Sequence, residues 1–505
     1  MKKKIYLIIL VGLYYSQANA QKYDNQKSDS VNTYITITSK NRIRSDTIYL
    51  TLNGPFFDYL IQQFTGRNAV KCLSAIADKQ GEYHFKIKTN RSPFHMSLFL
   101  SNEKIEDYIT GKGDMAGYLI MPGSNLNIDL NGNIKEFTGK GSEVLEVQNM
   151  IAQTDENGRI LDDNRLCSKD TPKWLRQEDS LLNVQLKLLE SYQDRLRPDI
   201  YSILRADIVG LNRGAVYYWM SYTQPYLAKR VDLTTTLETG YDELENEPPY
   251  LDLNDPACLS PKYLFYLYEK IKLEVKHSRI EAKVAPKIDQ NYFPKIKSDY
   301  DGILRDKLLA RWIIDVASVN NLQPDYPTEA LALMKTPAFI GTIKKLQSGY
   351  EKGLSIKDFD FKDSEGRTIR LADFKGKVVV VDMWFTGCPE CILVGSGMVK
   401  VEDQFKSRND LVFVTISIDR DKNTWLKSIN PNGGKYYITP NTTYLYTGGT
   451  GTRNPFIEKY VPGNGYPQLL LIGKDGKMFS AAVPHPINDK LQDAFIDILK
   501  SALKN

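Results

Sequence analysis

Hydrophobic residues follow three successive rhythms along this chain. Between about Asn32 and Thr138 apolar and polar residues alternate, as in YITIT (Tyr34 to Thr38) and TIYLTL (Thr47 to Leu52). In Glu82 to Lys88, Tyr83, Phe85 and Ile87 share one face; in Asn125 to Leu130, Leu126, Ile128 and Leu130 do. Period two between Gly and Asn turns predicts a half-buried antiparallel sheet. From about Glu143 to Lys345 the spacing changes to three or four. The run Asp179 to Asp199 puts Leu181, Val184, Leu188, Tyr192 and Leu196 on one helical stripe, which Pro198 should end. A second helix should start at Ser298 as its cap and carry Ile303, Leu304, Leu308, Trp312 and Ile313. Such stripes are ordinarily the core face of a helix. A polar, proline-rich break, Glu245 to Pro261, separates the helical stretches.

After a polar link, Ser348 to Asp358, strands alternate with helices. Thr368 to Leu371 reads as a short strand. Lys377 to Phe385 (KVVVVDMWF) is an apolar run of the kind buried on both faces of a sheet. A helix from about Cys391 to Phe405, a buried strand at Leu411 to Ile418 and a helix at Asn423 to Ser428 follow. Gln468 to Gly473 and Lys477 to Val483 should form a hairpin across Asp475-Gly476. Asn488 should cap the last helix. The order is β-α-β-α-β-β-α. The chain therefore reads as multi-domain: an antiparallel β-domain (21–142), an α-helical domain (143–347) and a C-terminal α/β domain (348–505), the last of which the cysteine chemistry narrows further.

Residues 1–20 stand apart from all three rhythms. Lys2, Lys3 and Lys4 precede an apolar run from Ile5 to about Tyr15, and Ala18-Asn19-Ala20 ends it. That is the pattern of a secretory signal cleaved after Ala20. The run is short for a membrane span, which takes about 20 apolar residues. The expectation is a periplasmic protein whose mature chain is not inserted in the membrane. Loss of the three lysines lowers the net charge from +5 to +2, which argues against a nucleic-acid partner. Five cysteines in an exported chain of this size make no disulfide framework. Cys72, Cys167 and Cys258 are scattered, as are the histidines His84, His95, His277 and His485.

The remaining two cysteines, Cys388 and Cys391 in FTGCPECIL, follow the apolar strand and open a helix. A structural zinc site usually needs four Cys or His ligands, and no second pair exists. A purely structural bridge would close a very short loop and gain little. Disulfide exchange needs a thiolate, which the positive end of a helix favours. Cys388 should sit exposed there and attack; Cys391, one turn on and more buried, should resolve the mixed disulfide.

The stretches KVVVVDMWFTGCPEC and YPQLLLIGKDGK, in this order of elements, resemble thioredoxin, and more narrowly the exported TlpA/ResA-like thiol–disulfide oxidoreductases of Bacteroidetes, from about Phe359 to Asn505. The β-domain and helical domain ahead of it resemble the same group. The resemblance implies a redox disulfide between Cys388 and Cys391, and a buried Asp382 exchanging a proton with Cys391. It implies Trp384 packed beneath the site. It also implies Pro467 in cis after Tyr466, whose backbone would pair with an extended substrate. No organic cofactor and no metal is implied. Electrons would come from a membrane-embedded thiol donor, and the partners would be disulfide-bearing exported proteins. Glu390, between the cysteines with Pro389, should raise the thiol pKa and make the couple a reductant. Pro389 departs from the commoner Gly-Pro order. A peroxiredoxin-like peroxidase would need Pro and Thr where Val381 and Phe385 stand. A partner-binding protein with a thioredoxin-like module is the non-enzymatic alternative. The glycine-rich Thr447 to Pro455 lacks the Gly-Lys-Ser/Thr ending of a phosphate loop, and no strand is predicted to lead into it.

Overall fold

A computed structural model of the 505-residue chain describes residues 30–38, 47–53, 71–89, 92–100, 115–131, 134–156, 171–227, 244, 260–281, 292–318, 326–344 (except 338 and 342) and 352–504 (except 358, 359, 462–465 and 482). The predicted signal segment, Cys167 and Cys258 lie outside these residues. Among the described residues no helix is long and apolar enough to cross a membrane. The chain divides into two compact units, one running to Leu308 and one from Leu309 onward.

The first unit contains two four-stranded sheets. One is ordered Glu82–Thr89, Val31–Thr38, Asn125–Asn131, Ile134–Lys140; the other Lys71–Ile76, Thr47–Asn53, Phe94–Phe99, Met115–Ile120. The alternating residues behave as their spacing predicts: Tyr83, Phe85, Ile87, Leu126, Ile128 and Leu130 are all buried in one core. The sheets are antiparallel except for one ladder, where Val31–Thr38 runs parallel to Asn125–Asn131. Phe94–Phe99 is buried on both faces. One side joins the core, and from the other His95 Nε2 meets Asp207 Oδ2 at 2.8 Å. Burial alone would raise the Asp207 pKa, but Lys262, His95 and the Ser260 hydroxyl hold it well below the usual carboxylate range.

The helices depart from prediction in register. Leu182 and Leu189 are buried on Thr171–Glu190, whereas Val184 is half exposed. Adjacent leucine pairs, 181–182 and 188–189, allow two stripes about 100° apart, and packing chose the second. Pro198 does not end that helix. The helix stops at Glu190, and Pro198 opens the next one, Pro198–Leu227, a position where its missing N–H costs nothing. Ser298 likewise lies in the last turn of Phe293–Asp299, donating to Asp299 and to the Lys295 carbonyl. The helix carrying Leu304 and Trp312 starts later, at Gly302.

The second unit is built on a seven-stranded sheet ordered Thr368–Arg370, Asp360–Lys362, Thr443–Tyr446, Leu411–Ser417, Val378–Trp384, Gln468–Ile472, Met478–Ser480. Val378–Trp384 is buried at all seven positions, parallel to Leu411–Ser417 and antiparallel to Gln468–Ile472. Its alternate residues serve two cores. Val378 and Val380 pack with Val394 and Met398 of Pro389–Phe405 and with Phe495 and Leu499 of the last helix, Asp489–Lys504. Val379, Val381 and Met383 pack on the other face with Phe456 and Tyr460. Each buried valine contributes about 1.5–3 kcal/mol. Asn488 caps the last helix, its Oδ1 accepting from Leu491 N–H at 3.0 Å. The strand Thr443–Tyr446 is an addition to the predicted set, and it leads directly into the glycine-rich segment.

Gly397 lets the two helices of this face close up. A Cβ there would collide with the Pro486 carbonyl, and the Gly397 carbonyl accepts from Gln492 at 3.0 Å. Gly397→Ala should therefore destabilise the protein by about 1–3 kcal/mol, read from the midpoint of urea unfolding. An unchanged midpoint would show that the Pro486 segment gives way freely.

Candidate active site

Cys388 is the N-cap of Pro389–Phe405, with extended backbone, and the Cys391 N–H donates to its sulfur at 3.2 Å. The helix thus begins two residues earlier than its apolar pattern suggests. Pro389 occupies the first turn, where a helix accepts proline readily. Glu390 is exposed beside it, so solvent weakens its field on the sulfur. Gly387, at φ +101°, turns the chain into the cap with a backbone angle that side-chain-bearing residues rarely adopt.

Cys388 and Cys391 are joined in a disulfide. The predicted contrast in exposure is absent: both residues are 3% exposed. The reason is a collar of aromatic rings. Trp384, Tyr436, Trp425 and Tyr446 form one buried cluster with the two cysteines, and Tyr466 packs against it. Trp384 stacks on Tyr436 with ring centroids 4.3 Å apart, and Phe385 meets Tyr466 edge-on at 5.8 Å. The Tyr466–Pro467 peptide is cis, as the resemblance implies. The Tyr466 carbonyl oxygen lies 3.7 Å from Cys388 Sγ. In the disulfide that sulfur carries no hydrogen, so this is a contact; the reduced thiol would have a donor for it.

Asp382 sits in the central strand between Val380 and Trp384, and period two places it on the face covered by Pro389–Phe405. The residue is 5% exposed, and Oδ1 has no hydrogen-bond partner among the described residues. Burial pushes its pKa up to about 7, because desolvation disfavours the charged form. A group that titrates there can take or give a proton at neutral pH.

Three features went unnoticed in the sequence. The Tyr436 hydroxyl accepts from Gly387 N–H at 2.8 Å and donates to the Cys388 carbonyl at 3.1 Å. Thr386 donates to Asp419 through its N–H at 2.9 Å and its hydroxyl at 2.7 Å, and Ser417 donates to the same carboxylate at 2.9 Å. Glu402, buried on the dithiol helix, accepts from the hydroxyls of Thr439 and Thr442; burial raises its pKa. With 31 tyrosines in the chain, no spacing or motif singles out Tyr436. Among the described residues, Asp78, Glu82 and His84 form one group able to hold a metal ion, at an exposed turn of the first unit.

Residues 376–478 match the family model described as Thioredoxin-like. Among solved structures, the segment is similar to the thioredoxin domain of a thiol-disulfide oxidoreductase from Bacteroides vulgatus, at 25% identity over 30% of this chain and 98% of that one, TM-score 0.25. It is also similar to a thiol:disulfide interchange protein from Bacteroides sp., at 25% identity over 31% of this chain and 92% of that one, TM-score 0.25. A thiol-disulfide oxidoreductase from Bacteroides fragilis matches at 17% identity over 29% and 98%, TM-score 0.24. With a matching family model, a central parallel strand pair and a disulfide capping the helix that follows, residues 376–478 form a thioredoxin-like domain.

Proposed function

We propose that the protein is exported to the periplasm and reduces disulfides of other exported proteins through Cys388 and Cys391. The observation that carries this reading is the disulfide at the helix N-cap, with the Cys391 N–H already on the Cys388 sulfur. After reduction by a membrane-embedded thiol donor, the Cys388 thiolate attacks a substrate disulfide. Cys391 then attacks the mixed disulfide, re-forming the internal bond and releasing the substrate thiol. An extended substrate would lie along the backbone of Tyr466, beside the attacking sulfur. Export rests on Lys2 to Lys4, the apolar run and Ala18-Asn19-Ala20. The reducing direction rests on Glu390, whose carboxylate, although solvent weakens its field, opposes the negative charge of the thiolate at the same helix end.

Equilibration of the full mature chain with glutathione buffers tests the direction. A potential near the thioredoxin value of about −270 mV is expected, and one near the DsbA value of about −120 mV would make the protein an oxidant instead.

A further inference from the structure

We propose that Tyr436 is a positioning residue of the redox couple: its hydroxyl clamps the Gly387–Cys388 turn, holds the Cys388 sulfur on the helix N-terminus and thereby sets the potential. The inference rests on the dithiol reading above and adds to it a residue with no sulfur chemistry of its own.

One hydroxyl bridges the two backbone groups at the ends of the Gly387–Cys388 pair, the Gly387 N–H and the Cys388 carbonyl, at 2.8 and 3.1 Å. The phenol ring cannot swing away without losing its stack on Trp384, where the planes are 11° apart. Both rings are buried. The segment carrying Tyr436 is itself tied down. Tyr436 N–H donates to the Ser428 carbonyl at 3.0 Å, and Ile438 N–H donates to the Tyr444 hydroxyl at 2.7 Å. Thr439 and Thr442 hold Glu402, which lies on the helix that Cys388 caps. The clamp is therefore anchored to the helix whose N-terminus it serves.

The redox step shows why placement matters. Two glutathione thiols reduce the internal disulfide: the Cys388–Cys391 bond breaks and the glutathione disulfide forms. Cys388 is left as a thiolate, Cys391 as a thiol, and one proton goes to solvent. The thiolate is favoured by the Cys391 N–H and by the positive helix end, and both act only at short range. A turn held in place keeps the sulfur in that field; a loosened turn lets it move out. Loss of the clamp thus disfavours the reduced form and makes the couple more reducing.

Tyr436→Phe in the full mature chain keeps the ring stack and removes the hydroxyl. The equilibrium with glutathione should shift about tenfold toward the internal disulfide, which is about 30 mV more negative for a two-electron couple. The alkylation of Cys388 by iodoacetamide should shift to higher pH. A folded Phe variant with unchanged potential and unchanged alkylation profile overturns the proposal. Should that variant not fold, Thr439→Val decides, since it loosens the segment and spares the hydroxyl. A smaller shift in the same direction supports the clamp, and no shift refutes it. A wild-type chain that never equilibrates with glutathione removes the dithiol reading and this inference together. A wild-type chain that does so, beside an unchanged Phe variant, removes the role of Tyr436 alone.

Discussion

Replacing Cys388 by serine should abolish reduction of insulin disulfides, a loss of roughly a thousandfold or more, as for other enzymes stripped of their nucleophile. A serine hydroxyl ionises far too weakly to attack a disulfide at neutral pH. Cys391→Ala should behave differently. Its first attack is intact, so substrate should accumulate as a mixed disulfide on Cys388, visible as a non-reducing gel shift and cleaved by dithiothreitol. The two sulfurs are equally enclosed, so exposure does not assign their roles. The N-cap position and the Tyr466 carbonyl beside Cys388 are what support Cys388 as the attacking sulfur in this proposal. Insulin reduction that survives in the serine variant would refute the assignment, and a trapped complex on Cys391 would reverse it.

Asp382→Asn should stabilise the oxidised protein at pH 8 by about 2–4 kcal/mol. The folded carboxyl titrates at about 7, the unfolded one at about 3.9. Between those values the folded protein holds a proton that the unfolded chain has released. Stability contributed by the neutral acid is complete below about pH 4 and is lost as pH rises to about 7. Above that, the fold carries a buried carboxylate. Asparagine keeps the shape without the charge. Urea unfolding at pH 4.5 and pH 8 should therefore show a gap between variant and wild type that opens with pH; a gap of constant size would mean that Asp382 is not titrating in this window. The same variant tests the proton exchange with Cys391 that the resemblance implies: mixed disulfides should then persist longer at pH 7 than in the wild type.

Much of the second unit was legible before folding. Four successive valines, Val378 to Val381, can be buried only in a strand covered on both sides, and one Cys-x-x-Cys after such a strand narrows the chemistry sharply. The helical region was less legible. Where leucines come in adjacent pairs, as at 181–182 and 188–189, periodicity admits two faces, and Pro198 can stop one helix or start another. Thr443–Tyr446 is four residues long, too short to declare its period.

The active site divides along the same line. Chain order alone determined the cysteine pair and its place between a buried strand and a helix, because each is a local signal tied to backbone geometry; the buried Asp382 and the Tyr466–Pro467 step followed only from the resemblance to thioredoxin. Tertiary structure alone decided that both sulfurs lie under aromatic rings and that Tyr436 holds the Cys388 turn. It also decided that Asp419 holds Thr386 and that Glu402 anchors the Tyr436 segment. Those contacts join residues 33 to 49 positions apart, and a hydroxyl or carboxylate takes its partner from whatever the packed chain brings within hydrogen-bond reach, a distance no sequence spacing encodes.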